Sequence, residues 1–339
     1  MGRPRSSNDF NQSLIALAYI DPRRRFTLKR KPPMPSYFWS STSSTDPTLG
    51  ANWTKSDGTT GAAPTTGDDV TIAAMPGVAL AAIGAADMSA VTLNSLTISQ
   101  TFNAAIGTTS TAGTNFGYWR IGAATWTIGT PSNDGSAATG SPRIKLDFGS
   151  GAFTGTVLAT GASADSGMAP VRIKGSNSGN KLYVLGGRVG VATNLPGETS
   201  TLAEVDVAGS TAVCTLGPGV TWTTANASAG GTLTTNSGST GTLSVSSGSS
   251  ATTQGTVAIA TVNAGGSTYL NHRPASGAAI TTLNLYPTGS ADFSRAPSAV
   301  TVSTLNHHKG GALGANPASP GHLTVTTRNL INCGTLTAS

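Results

Sequence analysis

Three segments of this chain restate one pattern: Thr, a branched aliphatic residue, Asn, then a Gly-containing run that reaches a bulky residue. They are TVNAGGSTYL from Thr261, TLNLYPTGSADF from Thr282 and TLNHHKGGAL from Thr304. Their asparagines, Asn263, Asn284 and Asn306, lie 21 and 22 residues apart. Ser244 in GTLSVSSG sits 19 residues before Asn263, and Asp206 in AEVDVAG sits two further steps of 19 back. A supersecondary unit repeated at that length stacks as a solenoid, because each unit buries its apolar face only against its neighbours.

The residues inside the unit choose the kind of solenoid. Helical repeats need Leu, Ala, Glu and Lys at 3.6-residue spacing, whereas these units hold short Thr- and Val-rich runs broken by Gly, Ser, Asn or Pro, which are strand and turn signals. A leucine-rich repeat has a similar length but would show a fixed multi-Leu consensus. The reading that fits is all-β: a right-handed parallel β-helix of about 19–22 residues per coil, preceded by an extended N-terminal arm, with coils stacked at roughly 4.8 Å. Composition agrees, with 43 Gly and only 10% charged residues among abundant Ser, Thr and Ala. A disordered chain of such composition has no reason to return repeatedly to alternating Val, Leu and Ile.

Charge is confined to one end. Between Met1 and Trp39 stand eight basic residues, Arg3, Arg5, Arg23, Arg24, Arg25, Lys29, Arg30 and Lys31, against Asp9 and Asp21, so the formal net charge of +6 belongs to this arm and the rest of the chain is neutral. Pro4, Pro22, Pro32, Pro33 and Pro35 favour an extended conformation there. LIALAYI, from Leu14 to Ile20, is short for a signal peptide and runs into Asp21-Pro22-Arg23 without a small-residue cleavage site. No stretch approaches the roughly 20 apolar residues of a membrane span. RRRFTLKRK could touch nucleic acid, but no base-reading fold stands beside it. The expectation is a docking arm over 1–36, with Leu14, Ile15, Leu17 and Tyr19 as its apolar anchor; a solvated tail is the bland alternative.

Next come Tyr37-Phe38-Trp39, Asn52-Trp53-Thr54, Pro64 and Gly67-Asp68-Asp69-Val70-Thr71-Ile72. This segment resembles the opening segment of tailed-bacteriophage virion fibre and spike proteins, and of related bacterial surface β-helices. The resemblance covers Tyr37 to Ile72 and implies a fibre-type virion protein with a β-solenoid body, in which homotrimers are common. On physical grounds Trp39 and Trp53 suit the covering of a first coil, and Asp68 and Asp69 suit acceptance of backbone N–H groups in the turn that launches Val70 and Ile72. A calcium site would need more oxygen ligands nearby than Asp57 supplies. Residues 37–72 are thus expected as an aromatic cap, 73–191 as a body with looser coils and 192–339 as regular coils.

Within 73–191, VTLNSLTI, YWRIG, RIKLDF, VRIK and KLYVLG read as strands. In RIKLDF, Ile144, Leu146 and Phe148 alternate with Arg143, Lys145 and Asp147, and Arg172 and Lys174 repeat the pattern, as expected of strands with one wet face. The links Thr130 to Pro142 and Thr160 to Pro170 read as loops thrown out from the wall, where binding commonly resides.

Chemistry-bearing residues are sparse. The only glutamates are Glu198 and Glu204, and Glu204 with Asp206 is the best carboxylate pair for glycan cleavage, two apart on one strand face. A solvated strand face is the simpler reading of that pair. Asp292 with Arg295 reads as a local pair at a corner. His307-His308, with His272 and His322, is the one candidate metal group, but adjacent strand residues point to opposite faces. Cys214 and Cys333 give no disulfide framework and read as buried filler. No catalytic site, cofactor or metal is expected. Two functional classes follow: a non-enzymatic virion component docked by its basic arm to capsid, portal, collar or tail proteins and located on the particle surface, with a host-surface glycan as a candidate partner; or a polysaccharide-degrading tailspike or secreted β-helix.

Overall fold

The computed structural model describes residues 36–102, 104–107, 117–130, 144–159, 171–193, 195–236, 239–246, 248–255, 258–265, 269–274, 278–294, 299–314 and 323–332. All belong to the compact unit Met34–Ser339. The basic arm, apart from its last residue Ser36, and the two expected protruding loops, apart from Thr130, lie outside the described residues.

This unit is a parallel β-solenoid made of two ladders. The long ladder stacks Ser36–Trp39, Asp69–Ile72, Asp87–Ile98, Trp119–Thr130, Thr154–Ala159, Lys181–Val184, Ser200–Ala208, Val220–Ser228, Ser239–Val245, Ala258–Ala264, Ala278–Leu285, Val300–His308 and Leu323–Ile331, each parallel to the next. The short ladder stacks Ile144–Asp147, Val171–Lys174, Gly187–Val191, Ala212–Leu216, Thr232–Thr235, Ser250–Gly255, Tyr269–Pro274, Ser290–Asp292 and Ala312–Gly314. It is continued by the first residues of Trp119–Thr130, where Trp119 pairs with Leu146 and Arg120 with Asp147. From Ser200 onward the pairing skips a position, as at Ala203 opposite Thr223 and Ala260 opposite Thr281, and the register shifts between Ser239 and Thr242, as it does earlier between Met88 and Thr92.

Away from those shifts, parallel register turns each strand position into a rank running through the stack. One inward rank reads Tyr37, Val70, Leu96, Trp126, Gly155, Leu182, Val205, Ala225, Leu243, Val262, Leu283, Leu305 and Arg328. Its partner, two residues on, runs from Ile72 and Ile98 through Leu285 to His307 and Leu330. Sizes compensate along the first rank: a Cβ on Gly155 would collide with the Trp126 indole, so the glycine makes room for the largest side chain of the rank. Trp126 stacks on Phe148 with ring centroids 5.0 Å apart, and Phe153 packs against both. The short ladder contributes Val189, Cys214, Leu233 and Ala251 to the interior.

Outward ranks are as regular. Asn226 Nδ2 donates to Asp206 at 2.6 Å, Asn263 to Ser244 at 3.2 Å, Asn284 to Asn263 at 2.8 Å, Asn306 to Asn284 at 2.7 Å and Asn329 to Asn306 at 2.8 Å. The asparagines that define the repeat are therefore successive rungs of one amide ladder. Asn226, 20 residues beyond Asp206, is the rung between Asp206 and Ser244. Two residues before it in each strand runs a threonine rank: Thr224, Thr242, Thr261, Thr282, Thr304 and Thr327.

The interior and the amide ladder should differ in weight. Leu283→Ala is expected to cost about 2–5 kcal/mol, the usual range for an aliphatic core truncation, and Asn284→Ala about 0.5–1.5 kcal/mol, the net worth of an exchanged hydrogen bond. Urea unfolding of the two variants in parallel checks the order. Burial pushes the Cys214 thiol up to about 12. In a Cys333→Ser variant, Cys214 should therefore fail to react with a disulfide reagent at pH 8 until denaturant is added.

Candidate functional site: a charged cleft and the cluster beneath it

At the opening, Trp39 and Trp53 meet edge to face with centroids 5.1 Å apart, and Trp53 lies 6.3 Å from Trp119. Both are almost fully buried, and each indole N–H is used: Trp39 Nε1 donates to Ala81 O at 2.9 Å and Trp53 Nε1 to Pro47 O at 2.8 Å. Asp68 accepts from Thr65 N at 2.7 Å and Thr65 Oγ1 at 2.8 Å, closing the turn before Val70. Asp69 instead reaches the next coil, accepting from Asn94 Nδ2 and Ser95 Oγ.

The carboxylate pair singled out in the sequence is engaged between coils. Glu204 takes Lys181 Nζ at 3.0 Å and Tyr183 Oη at 3.3 Å, while Asp206 takes Asn226. Of the histidines, His307 lies in an inward rank, with Nε2 at 2.8 Å from Gly311 O and Nδ1 at 2.9 Å from Arg328 Nη2. His308 stacks its ring 5.0 Å from Tyr286. His322, Arg295 and Cys333 lie outside the described residues, and Asp292 closes a local turn by accepting from Ser294 N at 2.8 Å. Among the described residues no three His, Cys, Asp or Glu side chains gather in a metal-binding group.

One expectation is corrected. The second face of Ile144–Asp147 is not wet: Lys145 is 1% exposed, Asp147 8% and Arg172 6%. Tyr118, at the start of its coil, and Glu198, brought in from the link between Gly187–Val191 and Ser200–Ala208, lie close to Arg172 on this face. Tyr118 Oη donates to Glu198 Oε2 at 3.2 Å. Alternation correctly placed Lys145 and Arg172 opposite the aliphatic core, but it carries no information about a segment 50 residues away in sequence folding over that face. The only available signal was Glu198 itself, one of the two glutamates in the chain.

This cluster is electrostatically unusual. Burial, with Arg172 adding to it, pushes the Lys145 ammonium below its ordinary range. Burial likewise lowers Arg172, and burial followed by the Glu198 charge pushes the Tyr118 phenol well up. Lys145 Nζ has no hydrogen-bond partner among the described residues.

Adjoining it is an open polar cleft of about 440 Å³ lined by Ser89, Arg120, Asp147, Ser150, Lys174 and Ser176, among others. Arg120 bridges two coils, its Nη1 at 2.8 Å from Asp87 and its Nε at 3.3 Å from Asp147. Lys174 Nζ reaches the same Asp147 oxygen at 3.4 Å and lies 4.7 Å from the centre of the Tyr118 ring. The tyrosine is thus shared, its face toward the cleft and its hydroxyl toward the cluster. Such an arrangement presents fixed cations at a surface; it brings together neither the Glu204 and Asp206 pair nor the histidines.

Because the folded chain gives up the Lys145 proton at lower pH than the unfolded chain does, the unfolded state binds more protons in the interval below the ordinary lysine value of 10.5, and raising pH there favours folding. Lys145→Met should remove that rise and stabilise the protein at neutral pH by about 1 kcal/mol or more, whereas Glu198→Gln, which strips the buried cations of their carboxylate, should destabilise it by about 3–5 kcal/mol. Melting curves of both variants between pH 7 and 10 check the signs.

No protein-family model, no curated protein and no solved structure matches this chain.

Proposed function

We propose that this chain is a non-enzymatic structural component of a bacteriophage virion, a fibre, spike or decoration element, docked by its basic arm over residues 1–36 and projecting a β-solenoid from the particle surface. The observation that carries this reading is the continuous parallel pairing of the long ladder from Ser36 to Ile331, interrupted only by local register shifts at Met88/Thr92 and Ser239/Thr242. With inner ranks packed and an outer amide ladder pinning coil to coil, such a stack resists bending and local opening, which is what a projecting element requires. The likeness of Tyr37 to Ile72 to the opening segments of virion fibre proteins supports the particle; the excess of arginine and lysine in 1–36 supports docking on an acidic or multimeric partner. Trimerisation, with solenoid faces covering one another, belongs to the same reading.

Mass spectrometry of purified particles should find the chain in a fixed copy number, and deletion of residues 1–36 should leave a folded, β-rich protein that no longer joins the particle. Collapse of the fold on that deletion would place the arm in the core and refute the docking role. Sedimentation at two concentrations should give a trimer. Release of reducing ends from capsule or lipopolysaccharide, abolished in Glu204→Gln or Asp206→Asn, would replace this reading by the hydrolytic one.

A further inference from the structure

We propose that one corner of the solenoid is a seam by which copies of this chain pack side by side. The inference rests on the oligomeric fibre reading above and deepens it by naming the contact. In the long ladder, Leu158 and Leu185 occupy the outward position just past the paired Val157 and Val184. Followed rung by rung, that column begins at Gly129 and passes through alanine, serine and glycine to Tyr286, His308 and Ile331. Every large apolar side chain that stands exposed among the described residues between Ile98 and His308 lies in it: Leu158 is 43% exposed, Leu185 47% and Tyr286 38%. The Tyr286 ring stacks on His308 one rung further, with centroids 5.0 Å apart. The outward column beside it is polar at Thr127, Thr156 and Asp206 and continues as the amide ladder, as a wet sheet face should. Two leucines a rung apart in water add nothing to the fold, and exposed apolar groups gathered along one line mark a surface that is covered in use.

Position and composition select a second copy as the occupant. The chain turns out of the long ladder directly after this column, through residues at positive φ such as Gly187 after Leu185, Gly209 after Ala208, Thr288 after Tyr286 and Gly310 after His308. The column is therefore a projecting corner and not a groove. A corner reaches two neighbours at once, so one seam on each copy closes a ring around an axis parallel to the stack. Around such an axis like meets like at every rung, and because rung spacing is the same in every copy the apolar layers stay aligned along the whole length. Positions that meet their own kind tolerate no charge. The column holds no Lys, Arg, Asp or Glu from Gly129 to Ile331, whereas the neighbouring outward columns hold Lys181, Glu204 and Asp206. At roughly 4.8 Å per rung the seam is about 43 Å long, and a strip about 20 Å across covers roughly 800–900 Å² on each copy, the amount that a stable interface buries.

The test is sedimentation of the full chain and its variants across a range of concentrations. The parent is expected as an oligomer and the Leu158→Glu, Leu185→Glu double variant as a monomer, because carboxylates on two successive rungs would face their own copies in a contact without water. Tyr286→Ser, in a distant coil of the same column, should weaken association about thirtyfold or more, the scale of a central interface residue. Thr301→Glu, at an exposed outward position near the start of its strand, should leave the sedimenting mass unchanged. Circular dichroism establishes that each variant is folded, and if the double variant is not, Leu185→Ser and Tyr286→Ser decide. A monomeric parent, an oligomer that survives the folded seam variants, or equal dissociation by Thr301→Glu would each overturn the seam. Recovery of the chain from purified particles is unaffected by these outcomes, so failure of the seam and failure of the virion reading are told apart.

Discussion

Hydrogen bonding of each strand in parallel to the equivalent strand of the next coil, with register restored after each local shift, is the constraint on which the rest depends. Once register is held, a side chain has no freedom to choose its neighbours: position by position it meets the residue of the same rank above and below. Alternation then acts twice, because one set of ranks must be apolar and of compatible volume while the other must tolerate a stack of identical groups in water. Threonine and asparagine satisfy the second demand, since a hydroxyl or amide can both give and take a hydrogen bond along a column. Valine, leucine and isoleucine satisfy the first. The low charge content follows as well, because like charges one rung apart would repel throughout the column.

How much of this was legible before any coordinates is instructive. The period could be read because the amide ladder demands the same residue type at every rung, and Asn263, Asn284 and Asn306 therefore stand out in the sequence. Asn226 does not stand out because its coil, VTWTTANAS, surrounds it with alanine and threonine instead of a branched aliphatic, so the interval between Asp206 and Ser244 reads as two equal steps although the rungs fall at unequal ones. Coil length varies with the turns, which register does not constrain. In the earlier coils the same ranks continue through Leu96, Trp126 and Leu182, but there the links between strands differ so much in length that no period survives in the sequence.

The charged cluster was illegible for a different reason. Strand alternation reports which side of a sheet a residue occupies, and Lys145 and Arg172 do occupy the side away from the aliphatic core. Whether that side meets water is decided by segments far off in the chain, here those carrying Tyr118 and Glu198. A lysine on an alternating strand is ordinarily a solubility device; Lys145, buried close to Arg172 and Glu198, is instead a charge inside the protein. Local pattern cannot distinguish the two, since the difference lies entirely in a tertiary contact.

The rank that carries Leu243, Val262, Leu283 and Leu305 arrives at Arg328, and its companion rank arrives at His307. A parallel stack presents on its last strand a row of backbone donors and acceptors already spaced to receive another, which is the geometry of runaway fibril growth. Any foreign strand that added itself to Leu323–Ile331 would have to seal a guanidinium into an aliphatic column, at a desolvation cost of roughly several kcal/mol. One arginine, placed where the preceding coils carry Leu243, Val262, Leu283 and Leu305, thereby makes the addition of a strand at this edge costly.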